Sequence, residues 1–202
     1  MGRRFFSSRN KGIAAAIGFA VAASPFAAAH GADPAIADKI ALCQACHGPA
    51  GISTMENVPS LAAQPDAFLQ YQLVFFRSGA RKSEIMEPIA SALSDSDIRQ
   101  LSQYYAGLKP PPAAAETAPE LSAAGSRNAA ERHCAGCHTD RYAGTQATAR
   151  LAAQREDYLA KALLDFKTGK RIGGGVAAMP EVAFSLTAEE IKALAHFLAR
   201  LP

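Results

Sequence analysis

Cys43-Gln44-Ala45-Cys46-His47 and, ninety-one residues on, Cys134-Ala135-Gly136-Cys137-His138 decide the reading of this 202-residue chain. Each is C-x-x-C-H, the spacing that lets two thiols reach the two vinyl groups of one haem while the adjacent imidazole turns onto the iron. The pair predicts two covalently bound haem c groups, attached through Cys43, Cys46, Cys134 and Cys137, with His47 and His138 as iron ligands. Zinc would pair two C-x-x-C units over about 15–20 residues, but 87 residues separate Cys46 from Cys134. A redox dithiol needs no His after its second Cys. Neither alternative explains a duplicated pentapeptide that uses every cysteine in the chain.

Residues 1–29 read as an export signal: Arg3, Arg4, Arg9 and Lys11 form a basic start, Ile13 to Ala23 is apolar, and Ala27-Ala28-Ala29 offers a cleavage site. The apolar run is shorter than the ~20 residues that a membrane span takes, so an uncleaved anchor is the weaker reading. Arg3-Arg4-Phe5-Phe6 also has the look of a twin-arginine start, but attachment of haem after export favours the unfolded route. The expected location is periplasmic, with at most peripheral membrane association. Removing those four basic residues turns 21 Lys and Arg against 18 Asp and Glu into 17 against 18. A near-neutral mature chain gives no reason to expect nucleic-acid binding and leaves partner choice to local patches.

The remainder repeats itself. Leu61-Ala62-Ala63-Gln64 returns as Leu151-Ala152-Ala153-Gln154, and Phe76-Arg77-Ser78-Gly79 as Phe166-Lys167-Thr168-Gly169, both at an offset of 90. The expected organisation is a first domain over 30–108, a Pro- and Ala-rich linker over 109–122 and a second domain over 123–202. Pro110-Pro111-Pro112 and the Ala-, Glu- and Pro-rich tract after it favour an extended linker.

Within each copy the apolar period is helical and no alternating strand stands out. Phe68, Leu69, Gln72, Leu73 and Phe76 share one face, with Pro65 at the helix start and Gly79 at its end; Tyr158, Leu159, Ala162, Leu163 and Phe166 repeat it before Gly169. Ser94-x-x-Asp97 and Thr187-x-x-Glu190 are capping-box starts for the last helix of each copy. The apolar faces of those helices are Ile98, Leu101, Tyr104 and Tyr105, and Ile191, Leu194, Phe197 and Leu198. Domains of about eighty residues are marginal on buried area alone, so each haem is expected to complete a core.

The second iron ligand decides the chemistry, because an open iron binds small molecules and a thioether closes it and raises its potential. Met86 and Met179 lie 39 and 41 residues after their histidines, each close to a proline and each followed seven residues later by Leu93-Ser94 or Leu186-Thr187. Met55 has no repeat partner, since Gln146 stands at the corresponding place, and reads as core filler. The expected ligand pairs are therefore His47 with Met86 and His138 with Met179.

Two C-x-x-C-H motifs, Pro59-Ser60-Leu61-Ala62-Ala63-Gln64, a helix ending Phe-x-x-Gly and a methionine–proline loop together resemble the dihaem cytochrome c4 group over nearly all of the mature chain. The resemblance implies an all-α fold of two tandem class I cytochrome c-like domains facing each other across a pseudo-twofold axis. It also implies that the Pro59 carbonyl accepts from the proximal imidazole, a contact that fixes ring orientation. Ala149 replaces that proline in the second copy, and Thr139 replaces Gly48. Arg171-Ile172-Gly173-Gly174-Gly175 lengthens the second methionine loop by three residues. Arg77, Arg81, Lys82, Lys167, Lys170 and Arg171 are candidates for haem propionates, a solvated face being the ordinary reading of each.

The expected function is a periplasmic electron carrier of a respiratory chain, not an enzyme. The resemblance implies a quinol-oxidising complex as donor, with a terminal oxidase or a periplasmic dehydrogenase as further partner. A competing reading is the dihaem subunit of a flavocytochrome dehydrogenase. A third, a dihaem peroxidase or thiosulfate-oxidising enzyme, needs an accessible or thiolate-bound iron, and no cysteine is spare. His30, His133 and His196 are assigned surface or packing roles.

Overall fold

The computed structural model describes residues 1–2, 34–172 and 178–202. The expected signal, apart from Met1 and Gly2, lies outside the described residues, as do His30 and the glycine run of the second methionine loop. The first copy contains α1 (Pro34–His47), a 3-10 turn at Pro49–Gly51, α2 (Asp66–Arg77), α3 (Met86–Ser91) and α4 (Asp95–Ala106). The second contains α5 (Pro119–Glu131), α6 (Ala135–His138), α7 (Glu156–Lys167), α8 (Ala178–Phe184) and α9 (Ala188–Ala199). Among the described residues there is no strand, only an isolated bridge between Thr145 and Thr148. None of the described helices is long and apolar enough to cross a membrane.

The apolar stripes do the packing that their period demands. Leu69 and Phe76 of α2 are buried, as are Ile98, Leu101 and Tyr105 of α4. Leu69, Ile98, Leu101 and Tyr105 join Ile36, Ile40 and Leu93 in the first core. Phe166, Leu186, Ile191 and Leu194 make the main core of the second copy, and Leu159 and Leu198 extend it. Both capping boxes form: Asp97 N–H donates to Ser94 Oγ (3.1 Å) and Glu190 N–H to Thr187 Oγ1 (3.1 Å), with each carboxylate reaching back to the cap backbone. In both copies that carboxylate also takes a cation from near the first helix, Lys39 to Asp97 and Arg132 to Glu190, each at 2.7 Å. One device therefore caps the last helix and ties it to the first.

The linker ends earlier than expected. Residues 109–118 are not helical, but α5 starts at Pro119, so 119–122 are its first turn. Proline is tolerated at the first helical position because its missing N–H has no partner there anyway. Glu116 completes the start by accepting from Ala118 N–H (2.8 Å) and the Ser122 hydroxyl. The linker lies along α9, with Ala114 N–H donating to Ala199 O (3.0 Å). His196, 3% exposed, sits between Glu116 (3.0 Å) and Glu156 (3.2 Å), which is the packing role expected of it.

Residues 32–202 form one compact unit. Between the copies, Phe68 N–H donates to Gln146 O (2.9 Å), Asn57 N–H to Asp157 Oδ2 (2.7 Å) and Arg155 Nη1 to Ser53 O (3.2 Å). The two glutamines of the repeated Leu-Ala-Ala-Gln also bond across this boundary.

Candidate haem sites

The first motif occupies the last turn of α1, unbroken to His47. The chain then reverses at Gly48 (φ 79°), where a Cβ would stand 1.9 Å from the Ile52 carbonyl oxygen, so only glycine fits. In the second copy the helix breaks before the motif: α5 ends at Glu131, His133 takes φ 53°, and the short α6 carries Ala135 to His138.

These different approaches deliver the same histidine geometry. His47 Nδ1 donates to Pro59 O at 2.8 Å and His138 Nδ1 to Ala149 O at 2.8 Å. A carbonyl only accepts, so the proton sits on Nδ1 and the Nε2 lone pair is left for a metal. Both rings are 8% exposed, and Nε2 has no hydrogen-bond partner among the described residues. Burial pushes both imidazoles toward the neutral form, against the opposing pull of the Pro59 and Ala149 carbonyls. Ala149 does the work of Pro59 because the acceptor is backbone.

None of the four cysteines pairs in a disulfide; Cys43, Cys46 and Cys134 are partly buried and Cys137 is exposed. Burial raises the thiols of Cys43 and Cys134, the opposite of what a redox dithiol uses. Among the described residues no three of His, Cys, Asp and Glu converge as a metal site would require. The donor set therefore fits covalent haem: two thiols and one oriented, unpartnered imidazole nitrogen in each copy.

Met86 opens α3 and Met179 stands near the start of α8, both half-buried, and Met179 packs against the second core. Met55 is 47% exposed, so its expected role as core filler is not what it does. Its loop turns outward: Ser53 is buried while Thr54 to Asn57 are exposed.

The candidate propionate partners divide. Arg77 is taken by Leu93 O and Asp95, Lys82 faces Glu87 at 3.7 Å, and Lys167 donates to Phe184 O. Lys170 is exposed. Arg81 and Arg171, equivalent under the repeat, are the exceptions: each guanidinium lies 4.5 Å over its own Phe76 or Phe166 ring, and both donate to Gln72 Oε1 (2.7 and 2.9 Å). Tyr158 joins them by accepting from Arg81 (3.2 Å). Burial would raise its phenol, but the two guanidinium charges outweigh burial and bring it to about 8. Two cations facing an amide and a phenol form an anion-seeking group. Arg81 and Arg171 were legible as basic residues; Gln72 and Tyr158, read only as stripe positions, were not legible as their partners.

Tandem all-helical copies that each present C-x-x-C-H with an oriented imidazole define a dihaem c-type cytochrome. The cytochrome c family model matches residues 122–202. The chain is 32% identical to cytochrome c4 of Azotobacter vinelandii over 86% of its own length and 91% of that protein. It superposes on the crystal structure of reduced cytochrome c4 from Pseudomonas stutzeri with a TM-score of 0.75 and 30% identity, covering 82% of this chain and 96% of that one. It is also 30% identical to the thiosulfate dehydrogenase electron acceptor of Thiomonas intermedia, over 81% of this chain and 80% of that protein. The chain belongs to the cytochrome c4 family of dihaem electron carriers.

Proposed function

We propose that the chain is an exported, periplasmic electron carrier of a respiratory chain, cut near Ala29, with one haem domain over 30–108 and another following the linker that ends at Ala118. His47 and Met86 ligate the first iron, His138 and Met179 the second. The observation that carries this reading is the matched pair of buried imidazoles, each with Nδ1 held by a carbonyl and Nε2 without a partner among the described residues. A haem bound there supplies one-electron chemistry without binding substrate. The chain's residues would do the tuning: the carbonyl bond raises imidazole basicity, and Met86 and Met179 would supply thioether ligands that exclude small molecules and favour the reduced state. Arg81 and Arg171 offer positive charge to haem carboxylates at the boundary between the copies. Donor and acceptor would be a quinol-oxidising complex and a terminal oxidase.

A second reading is supported by the likeness to a relative named as a thiosulfate dehydrogenase electron acceptor. In that role the chain accepts electrons from a periplasmic dehydrogenase, and stable co-purification with such an enzyme would favour it.

A spectroscopic redox titration of the exported protein tests the carrier reading. Two one-electron steps are expected, and carbon monoxide should barely perturb the reduced spectrum near neutral pH. Rapid, full carbon monoxide binding at one haem, with peroxide turnover, would contradict it.

A further inference from the structure

The carbonyls that orient His47 and His138 each belong to a peptide plane whose other end is held by the opposite copy. The peptide unit is planar, so the Pro59 carbonyl and the Ser60 N–H are two ends of one plate. His47 Nδ1–H takes the carbonyl end (2.8 Å), and Ser60 N–H donates to Gln154 Oε1 (2.8 Å). The same arrangement recurs in reverse. His138 takes the carbonyl of Ala149 (2.8 Å), and Arg150 N–H donates to Gln64 Oε1 (3.0 Å). Each glutamine adds a second bond to the residue that it holds: Gln154 Nε2 donates to Ser60 O and Gln64 Nε2 to Arg150 O, both at 2.9 Å.

We propose that Gln64 and Gln154 are cross-domain positioning residues, each fixing and polarising the peptide plane that orients the proximal histidine of the other copy. The repeat singled out Leu-Ala-Ala-Gln without giving it a task, and this is the task. Both glutamines are 5% exposed and use both ends of the amide, so they have one satisfied orientation. The residue before each, Ala63 or Ala153, is held at φ 56°. That left-handed backbone is strained for an alanine. It is retained in both copies and held by Ala63 N–H to Tyr105 O (2.9 Å) and Ala153 N–H to Leu198 O (3.1 Å). Hydrogen bonds in a chain strengthen one another, so a glutamine oxygen on the N–H end makes the carbonyl a better acceptor for the imidazole. The acceptor in turn sets ligand basicity. Each copy thereby tunes the iron of its partner. Ser60 is 2% exposed whereas Arg150 is half-buried, so water replaces Gln64 more readily than Gln154.

The proposal rests on His47 and His138 being iron ligands, and its test separates the two claims. Gln154→Met and Gln64→Met in the haem-loaded protein keep the volume and remove both bonds. Two readouts apply: the two midpoint potentials, and solvent exchange of the hyperfine-shifted Nδ1 protons of His47 and His138. Gln154→Met should raise the reduction equilibrium constant of the first-copy haem about threefold, or about 28 mV at ~59 mV per tenfold for one electron, and speed exchange at His47 alone. Gln64→Met should act on the second-copy haem and His138, by less. Should either Met variant fail to fold, the shorter Gln154→Asn and Gln64→Asn release the same N–H groups and should give the same crossed pattern. Gln154→Glu keeps the acceptor and should restore slow exchange at His47. Shifts confined to the haem of the mutated copy, equal at both or absent at both would overturn the proposal while leaving the ligands intact. Absence of hyperfine-shifted His47 and His138 protons in the unmutated protein would overturn the ligand assignment and the proposal with it.

Discussion

The two copies make the same left-handed turn after their haem motif with different residues. Gly48 (φ 79°) packs so tightly that a Cβ would meet Ile52 O at 1.9 Å, whereas Thr139 (φ 69°) carries a full side chain whose hydroxyl accepts from Ala143 N–H at 3.2 Å. The approach to the motif differs too, being continuous helix in α1 but broken at His133 in the second copy. Yet both end with an imidazole 2.8 Å from a carbonyl. The duplication holds the histidine geometry constant and lets the route to it vary, so the backbone acceptor matters more than the residues that deliver it.

The largest expected effect tests where the copies truly differ. A Cβ on Gly125 of α5 would lie 2.1 Å from Ala193 O and 2.5 Å from Phe197 Cβ, while α1 has no glycine at all. Gly125→Ala should therefore cost about 3 kcal/mol, the upper end for overpacking, seen as a lower urea midpoint of the haem-loaded protein. An unchanged midpoint would mean that α5 and α9 have room to separate.

A smaller effect comes from exchanging the turns. Gly48→Ala forces a Cβ against backbone and should cost about 2 kcal/mol. Thr139→Gly relieves a positive φ but loses one hydrogen bond and should change stability by less than about 1 kcal/mol. Equal losses from both, read as midpoints in the same denaturant series, would show the turns to be equivalent after all.

The smallest effect is a titration. The Lys39 ammonium, with the Ser94 backbone and hydroxyl, holds Asp97 down at about 2. A carboxyl depressed in the fold stabilises above its unfolded value, about 3.9, and that contribution fades as pH falls toward 2. Carboxyl-carbon NMR should show Asp97 ionised at pH 3, when ordinary aspartates are mostly protonated. Glu190, lowered chiefly by Arg132, should follow the same trend in the second copy. A normal titration of Asp97 would show that the Lys39 contact does not persist in solution.

The haem motifs, the helical stripes and the capping boxes were legible because each is a local pattern with a fixed spacing. Four features were not. The break at His133 has no glycine or proline to announce it. The linker stops at Ala118 although Pro119 looks like more linker, because proline suits a first helical turn and Glu116 supplies the cap. The glutamine clasps join residues 86 and 94 positions apart, a pairing that exists only once the copies face each other. Met55 is exposed rather than core filler, and an isolated methionine carries no signal of which way its loop turns.

Each copy is proposed to close its own iron with one histidine and one methionine. The near-infrared methionine-to-iron band, followed by magnetic circular dichroism of the oxidised protein, tests it most directly. Two such sites are expected, with half the intensity lost in Met86→Ala, half in Met179→Ala and none in Met55→Ala. Loss of one site's band in Met55→Ala, with both bands intact in Met86→Ala, would contradict it.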